Sequence, residues 1–251
     1  MFKDFARGKY YGVMITSRLG RDIYFTGKSA DFINKNFNSE LENVKPEFNV
    51  KNVVVLNQVH GTDIVAINKD VLFDSLQNSS GEGCFCADGF IFKFTPEENK
   101  TADSLNILFG IRTADCLPVY IETREKIILL HAGWRGVAGG IISKALMMLD
   151  KQEVYSFIIG PAAGSSAYEV GREVIGQFDS KIVQASAHGD KYLLDLKATA
   201  VKVFEQDYVK KSSDCLVEVS KICTICDVNW HSHRREGSLR GSNLMFIRMS
   251  F

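Results

Sequence analysis

The stretch Lys126-Ile127-Ile128-Leu129-Leu130-His131-Ala132-Gly133-Trp134-Arg135-Gly136 sets the fold question for this chain of 251 residues. Four consecutive apolar residues, Ile127 to Leu130, have the length of a buried strand. They run into a histidine and a glycine-punctuated turn. Beyond the turn, residues 137–150 place Ile141, Ala145 and Leu149 on one helical stripe beside Ile142 and Leu146, which predicts a helix. A strand, a polar turn and a helix therefore follow in order, with His131 at the junction.

Further short apolar runs lie on both sides. Val53–Leu56, Ile64–Ile67, Gly89–Phe94, Leu105–Phe109 and Pro118–Ile121 precede the central strand. Leu216–Val219 and Leu244–Ile247 follow it. A second helix is expected over 193–209, with Leu196, Ala200, Val203, Phe204 and Tyr208 on one stripe, and Asn78–Gly83 and Thr95–Lys100 read as loops. The strands cluster without strict alternation with helices, which predicts an α+β sandwich of mixed β-sheets rather than a doubly wound fold. With no internal repeat and no long linker, residues 1–251 are expected to form a single domain.

Composition narrows the function classes. Hydrophobic residues make up 45% of the chain, and 30 Lys+Arg balance 30 Asp+Glu. That describes a soluble globular protein and argues against disordered or collagenous classes. A nucleic-acid binder ordinarily carries a basic excess, so neither nucleic acid nor an anionic membrane is an expected partner. No apolar run approaches the roughly 18 residues of a membrane span, and Met1–Arg7 lacks the apolar stretch of a signal peptide. The expected location is cytoplasmic. There the cysteines at 84, 86, 116, 215, 223 and 226 are reduced thiols or metal ligands rather than disulfides.

Three polar turns carry reactive side chains at predicted strand ends: Asn57-Gln58-Val59-His60-Gly61, Arg112-Thr113-Ala114-Asp115-Cys116-Leu117-Pro118 and His131-Ala132-Gly133-Trp134-Arg135-Gly136. Taken singly, such a histidine or cysteine is ordinarily a packed residue. Together, two imidazoles and a thiolate make a borderline-soft donor set suited to Zn²⁺, and three ligands leave the fourth tetrahedral position open. The separations of 56 and 15 residues match no short zinc motif.

The motifs Gln58-Val59-His60-Gly61-Thr62-Asp63, Ala87-Asp88-Gly89, Thr113-Ala114-Asp115-Cys116-Leu117-Pro118-Val119 and His131–Gly136 occur in that order. Gly160-Pro161, Tyr168-Glu169-Val170-Gly171, Cys223-Thr224 and Ser232–Gly237 extend the series. From about Ser17 to Arg240 the chain resembles the bacterial laccase-domain family, once described as polyphenol oxidases. The resemblance implies an α/β/β/α-type sandwich and a zinc site of His60, Cys116 and His131, with copper as the alternative metal. It also implies phosphorolysis of adenosine, inosine, guanosine and methylthioadenosine, with adenosine deamination as an additional activity. Other descriptions of the family imply peptidoglycan editing, a copper-dependent laccase, or a cysteine hydrolase using Cys116 and His131. The chain departs from the family pattern at Ala162–Ala167, where relatives often carry cysteines, and at Ser17–Gly20.

The expected partners are thus purine nucleosides and phosphate. Arginine forks suit phosphate, making Arg18, Arg112, Arg135, Arg234 and Arg240 the candidates, with Gln58 beside them. Asp115 is placed to shuttle a proton or orient a ligand histidine, or else to cap a turn. Zinc deaminases of the His-x-Glu type are a poor match, because none of the five histidines has a glutamate two positions on. Cys223-Thr224-Ile225-Cys226 with His231 and His233 is too tightly spaced for a usual structural zinc site. Cys84-Phe85-Cys86 reads as a loop, and Trp134 and Phe92 as core residues with base stacking as the alternative.

Overall fold

The computed structural model describes residues 1–28, 37–68, 71, 85–93, 106–150, 153–207, 211–237 and 241–250. The chain begins with β1 (Lys3–Arg7), β2 (Tyr10–Thr16), β3 (Asp22–Thr26) and α1 (Phe37–Glu47). Next come β4 (Asn52–Val55), β5 (Ile64–Ile67), β6 (Gly89–Lys93), β7 (Asn106–Thr113), β8 (Leu117–Glu122) and β9 (Lys126–Ala132). Two short helices follow, α2 (Trp134–Ala138) and α3 (Ile141–Met147), then β10 (Val154–Ile159), β11 (Glu169–Val170), α4 (Arg172–Ile175), β12 (Val183–Ala185) and β13 (Tyr192–Leu194). The series ends with α5 (Leu196–Asp207), β14 (Lys211–Val219), α6 (His233–Glu236) and β15 (Asn243–Ser250).

Two six-stranded mixed sheets result. One runs β1-β2-β3-β15-β7-β4 and the other β14-β10-β8-β9-β6-β5, while β11-β13-β12 form a small third sheet. Within the large sheets β4 pairs parallel to β7, β10 to β14 and β5 to β6, and the other pairs are antiparallel.

Period-two alternation explains how β9 serves two cores. All seven of its residues are buried. Ile127 and Leu129 join Phe90, Phe92, Phe109, Tyr120 and Met245 between the large sheets. Ile128, Leu130 and Ala132 point the other way, packing with Val137, Ile141, Leu146 and Phe204 of the helical layer. A strand covered on both faces needs a continuous apolar run, which is why it stands out in the sequence. On the opposite side of the molecule α1 covers the first sheet through Leu41 and Val44. Phe48, just beyond it, packs edge-on against Phe246 at 4.6 Å. The layers are therefore α1, sheet, sheet, then α2, α3 and α5: the α/β/β/α order.

Several sequence expectations change in detail. The helix expected over 137–150 is split, because Gly140 sits in the left-handed region (φ 84°) between α2 and α3. The second helix, described over Leu196–Asp207, begins at Leu196 rather than 193, and the expected end at 208–209 lies outside the described residues. The expected loops at Asn78–Gly83 and Thr95–Lys100 lie outside the described residues, as do Cys84, Phe94, Leu105 and Tyr208. Phe92 is fully buried against Phe109, a core residue with no face for a base.

Gly140 has open space around its missing Cβ, so substitution there tests backbone strain alone. Gly140→Ala should lower unfolding stability by about 1–2 kcal/mol, read from urea denaturation with an unchanged slope. A neutral or stabilised variant would mean that the two helices tolerate a right-handed link.

Candidate metal centre

Strand register brings the centre together at one end of the sandwich. In the β8–β9 hairpin Leu117 pairs with Ala132 and Pro118 with His131, so Cys116, just before β8, lies beside His131. Gly89 pairs with Leu130, which sets Asp88 against His131 from the other side. The chain crosses from the first large sheet to the second twice at this end. Residues 56–63 link β4 to β5 and carry His60; Ala114-Asp115-Cys116 link β7 to β8. His60, Cys116 and His131 converge, with their ligand atoms all within 4.8 Å of one another. The two imidazoles meet edge-on at 4.8 Å between centroids. A Cβ on Gly133 would stand 3.0 Å from the Cys116 sulfur and 3.4 Å from His60 Cδ2, so only glycine leaves that space clear. Among the described residues this is the one group of three or more His, Cys, Asp or Glu side chains close enough to share an ion.

The carboxylate that orients the centre is Asp88, not Asp115. Asp88 is fully buried. His131 Nδ1–H donates to its Oδ1 (2.8 Å), as does the His60 backbone N–H (2.9 Å). Oδ2 accepts from the N–H groups of Gly61 (2.6 Å) and Val59 (3.3 Å). Because the carboxylate only accepts, Nδ1 must carry a proton, which makes Nε2 the ligand atom once a metal displaces the proton there. Burial opposes its ionisation, but these bonds from His131, Gly61 and His60 hold Asp88 below the usual carboxylate range. Asp115 faces away. Its carboxylate accepts from Thr224 Oγ1 (2.7 Å), Ser232 Oγ (3.0 Å) and the Arg234 N–H (2.8 Å), tying the β7–β8 link to the start of α6. Of the two roles expected for Asp115, the capping one is what its contacts make.

Burial disfavours the Cys116 thiolate, yet the facing His131 and His60 imidazoles outweigh it and bring the thiol down to about 6. Burial likewise disfavours the His131 imidazolium, and the Cys116 thiolate with the Asp88 carboxylate brings it up to about 9. Two cavities flank the sulfur. One of about 310 Å³ is bounded by Trp134, Arg135, Tyr168, His233 and Arg234. A smaller one of about 150 Å³ is bounded by Gln58, Arg112, Thr113 and Ser242. Arg135 lies over the Trp134 ring (4.3 Å) and Arg234 over Tyr168 (5.5 Å), and neither guanidinium has an acidic partner among the described residues. Gln58 reads as a strand partner: its side chain accepts from the Arg112 N–H (2.8 Å) and donates to the Arg112 carbonyl (2.7 Å). Arg18 is not brought to the centre. It pairs with Asp214 (2.6 Å) beside Ser156 and Glu122, at the far end of β8. Arg240 lies outside the described residues.

Residues 26–250 match the family model described as multi-copper polyphenol oxidoreductase laccase. The chain belongs to this family. Within it, a purine nucleoside phosphorylase of Clostridium acetobutylicum is 30% identical over 241 residues, covering 90% of each chain. The purine nucleoside phosphorylase YfiH of Escherichia coli is 32% identical over 150 residues, 57% of this chain and 54% of that one. The crystal structure of YlmD from Geobacillus stearothermophilus superposes with a TM-score of 0.71 at 23% identity, covering 91% of this chain and 90% of that one.

The family description names several coppers, but the histidines of this laccase-family chain do not assemble a multi-metal cluster among the described residues. His188 binds Glu169 (2.6 Å), His231 faces Glu236 (3.5 Å) and His233 lines the larger cavity. Only His60 and His131 join a shared site. Asp88, Tyr168 and Ser242 complete the surroundings without having been named as site residues, together with His233, which the sequence raised only beside the Cys223–Cys226 pair. The motifs Ala87-Asp88-Gly89, Tyr168–Gly171 and Ser232–Gly237 had marked three of the four.

Asp88→Asn should weaken metal retention about 10–100-fold in competition with a chromogenic chelator, because His131 loses the charged carboxylate that orients it. Asp115→Asn should spare metal affinity and instead cost about 1–3 kcal/mol of folding stability. The reverse pattern would overturn the division of roles.

Proposed function

We propose that this chain is a zinc-dependent purine nucleoside phosphorylase acting on adenosine, inosine, guanosine and methylthioadenosine, with 1–251 as one functional unit. The supporting observation is the 310 Å³ cavity, in which two guanidiniums with no acidic partner among the described residues, Arg135 and Arg234, share walls with His60 and Cys116. Its size meets the lower end of small-molecule pockets, about 300 Å³. The names carried by the relatives agree with this activity.

The donor set fits zinc: two imidazoles, a thiol already biased to thiolate, and an orienting carboxylate behind one histidine. When bound, the ion would supply Lewis acidity toward a substrate heteroatom. The rest falls to the chain. Arg135 and Arg234, stacked on aromatic rings, present their N–H edges to phosphate and hold it for attack on C1′ of the ribose. As the C1′–N9 bond breaks, its electron pair passes to the purine. Burial, reinforced by the Cys116 thiolate, keeps the Tyr168 phenol protonated well above its ordinary range, so its hydroxyl remains a hydrogen-bond donor throughout. Trp134 and Tyr168 give the cavity apolar walls that limit water. Deamination of adenosine is the accompanying activity, and the cytoplasm, where thiols stay reduced, is the expected compartment.

A second function is favoured by one arrangement. Cys116, His131 and Asp88 stand in the order nucleophile, base and orienting carboxylate, as in cysteine hydrolases. Chelation separates the two. Phosphate-dependent base release from inosine and adenosine should disappear in chelator, return with Zn²⁺ and be absent in His60→Ala. Activity surviving metal removal but lost in Cys116→Ser would sink the phosphorylase proposal and favour the hydrolase. Arg135→Ala should raise the phosphate KM about 10–100-fold, the equivalent of losing a charge-assisted contact of roughly 1.5–3 kcal/mol, while a purely structural arginine would leave KM alone.

A further inference from the structure

Cys223-Thr224-Ile225-Cys226 lies outside the metal centre and has no part in the chemistry above. The two sulfurs are 3.0 Å apart. Cys223 is half-buried and Cys226 exposed, so solvent reaches the pair. The turn carrying them is braced from several directions. The Cys223 carbonyl accepts from the N–H groups of Cys226 (3.2 Å) and Asp227 (2.9 Å), and Cys223 is bridged to Ala162. The Arg235 guanidinium donates to the carbonyls of Thr224 and Ile225, both at 2.7 Å. With the backbone held in this way, the sulfurs need to approach by about 1 Å to reach an S–S bond of about 2.05 Å.

Cys223 is also placed as the attacking sulfur. It accepts N–H bonds from Gly164 (3.2 Å) and Cys226 (3.4 Å). Burial works against its ionisation, but the bonds from Cys226, Gly164 and Ile225 prevail and hold it below an ordinary thiol, while the same contact raises Cys226. The buried Lys197 ammonium is fixed close by on the carbonyls of Ser220 (2.7 Å) and Ile222 (2.8 Å). A stabilised thiolate beside an accessible second thiol is the arrangement of redox-responsive cysteines. A metal is the poorer occupant. Among the described residues no third His, Cys, Asp or Glu atom lies within reach of the pair, and Lys197 and Arg235 place two cations around it.

We propose that Cys223 and Cys226 form a redox modification site, a dithiol closed to an intramolecular disulfide by hydrogen peroxide and reopened by a small dithiol. The Cys223 thiolate attacks one peroxide oxygen. An S–O bond forms, the O–O bond breaks, and the leaving hydroxide takes a proton to become water. Cys226 then attacks the Cys223 sulfenic sulfur: the S–S bond forms, the S–O bond breaks, and hydroxide leaves with the Cys226 proton as a second water. The two thiols give up two electrons and the peroxide accepts both. In a reducing compartment the pair rests as thiols and closes transiently.

The test is a peptide map of the zinc-loaded full chain, reduced, desalted, treated with about one equivalent of hydrogen peroxide and alkylated. The expected result is a Cys223–Cys226 peptide lighter by two hydrogens and free of alkylation, restored to the doubly alkylated form by dithiothreitol. In Cys226→Ser the sulfenic acid should persist on Cys223 and be trapped by dimedone. Doubly alkylated Cys223 and Cys226 after oxidation elsewhere in the chain would overturn the proposal. So would a second zinc per chain that is lost from the Cys223→Ser, Cys226→Ser double variant. The wild-type map is decisive even if a variant fails to fold.

Discussion

A fully buried carboxylate without partners would be among the most expensive groups a protein can carry, and Asp88 avoids that cost by organising its neighbours. Three consecutive backbone N–H groups, of Val59, His60 and Gly61, converge on it from one side and the His131 ring from the other. The loop is drawn into a tight curl, with His60 in a left-handed conformation at φ 61°. One ion therefore fixes the direction of two ligand imidazoles, one through its backbone and one through its ring. Asp115, also left-handed at φ 89°, does parallel work on the outer side, linking the Cys116 segment to Thr224, Ser232 and the first turn of α6. Strain of this kind persists where surrounding contacts over-determine it, and here it gathers around the convergent His–Cys–His group.

How much of this was legible in the sequence depended on what kind of force set each feature. β9, β8 and β4 were readable because burial on both faces demands unbroken apolar runs. β2 and β3 were not, since Tyr10–Thr16 and Asp22–Thr26 mix exposed and polar residues into strands whose identity comes from pairing with each other and with β15. Of the stripe Ile141, Ala145 and Leu149, the first two fall in α3 and Leu149 in the turn after it, and a stripe says nothing about a single left-handed glycine at its start. His60, Cys116 and His131 could be named because their side-chain chemistry is distinctive. Asp88 could not be told from Asp115 by type: both stand in quoted motifs, and only strand register decides which carboxylate meets the imidazole. Arg18 shows the converse. An arginine suits phosphate wherever it stands, and its position at the far end of β8 is a property of topology alone.

The two sides of the metal centre differ in character. Toward Arg135 and Arg234 the walls are cationic and aromatic; toward Gln58 and Arg112 they are built from a side chain imitating a β-ladder, so the floor there is effectively backbone.

The place of β15 has a consequence for how the molecule is made. It comes after every other described strand in sequence, yet it lies inside the first large sheet, zipped to β3 on one edge and β7 on the other. A chain emerging from the ribosome can pair the β8–β9 hairpin early, because that contact is local. The first sheet must wait, with the edges of β3 and β7 unpaired, until Asn243–Ser250 arrives to join them. Cys116 and His131 thus meet as neighbours during synthesis, whereas the sheet from which His60 and Cys116 cross over is finished last. Assembly of the centre is in this way tied to the arrival of β15, and a nascent polypeptide halted before it carries two open strand edges in place of a closed sandwich.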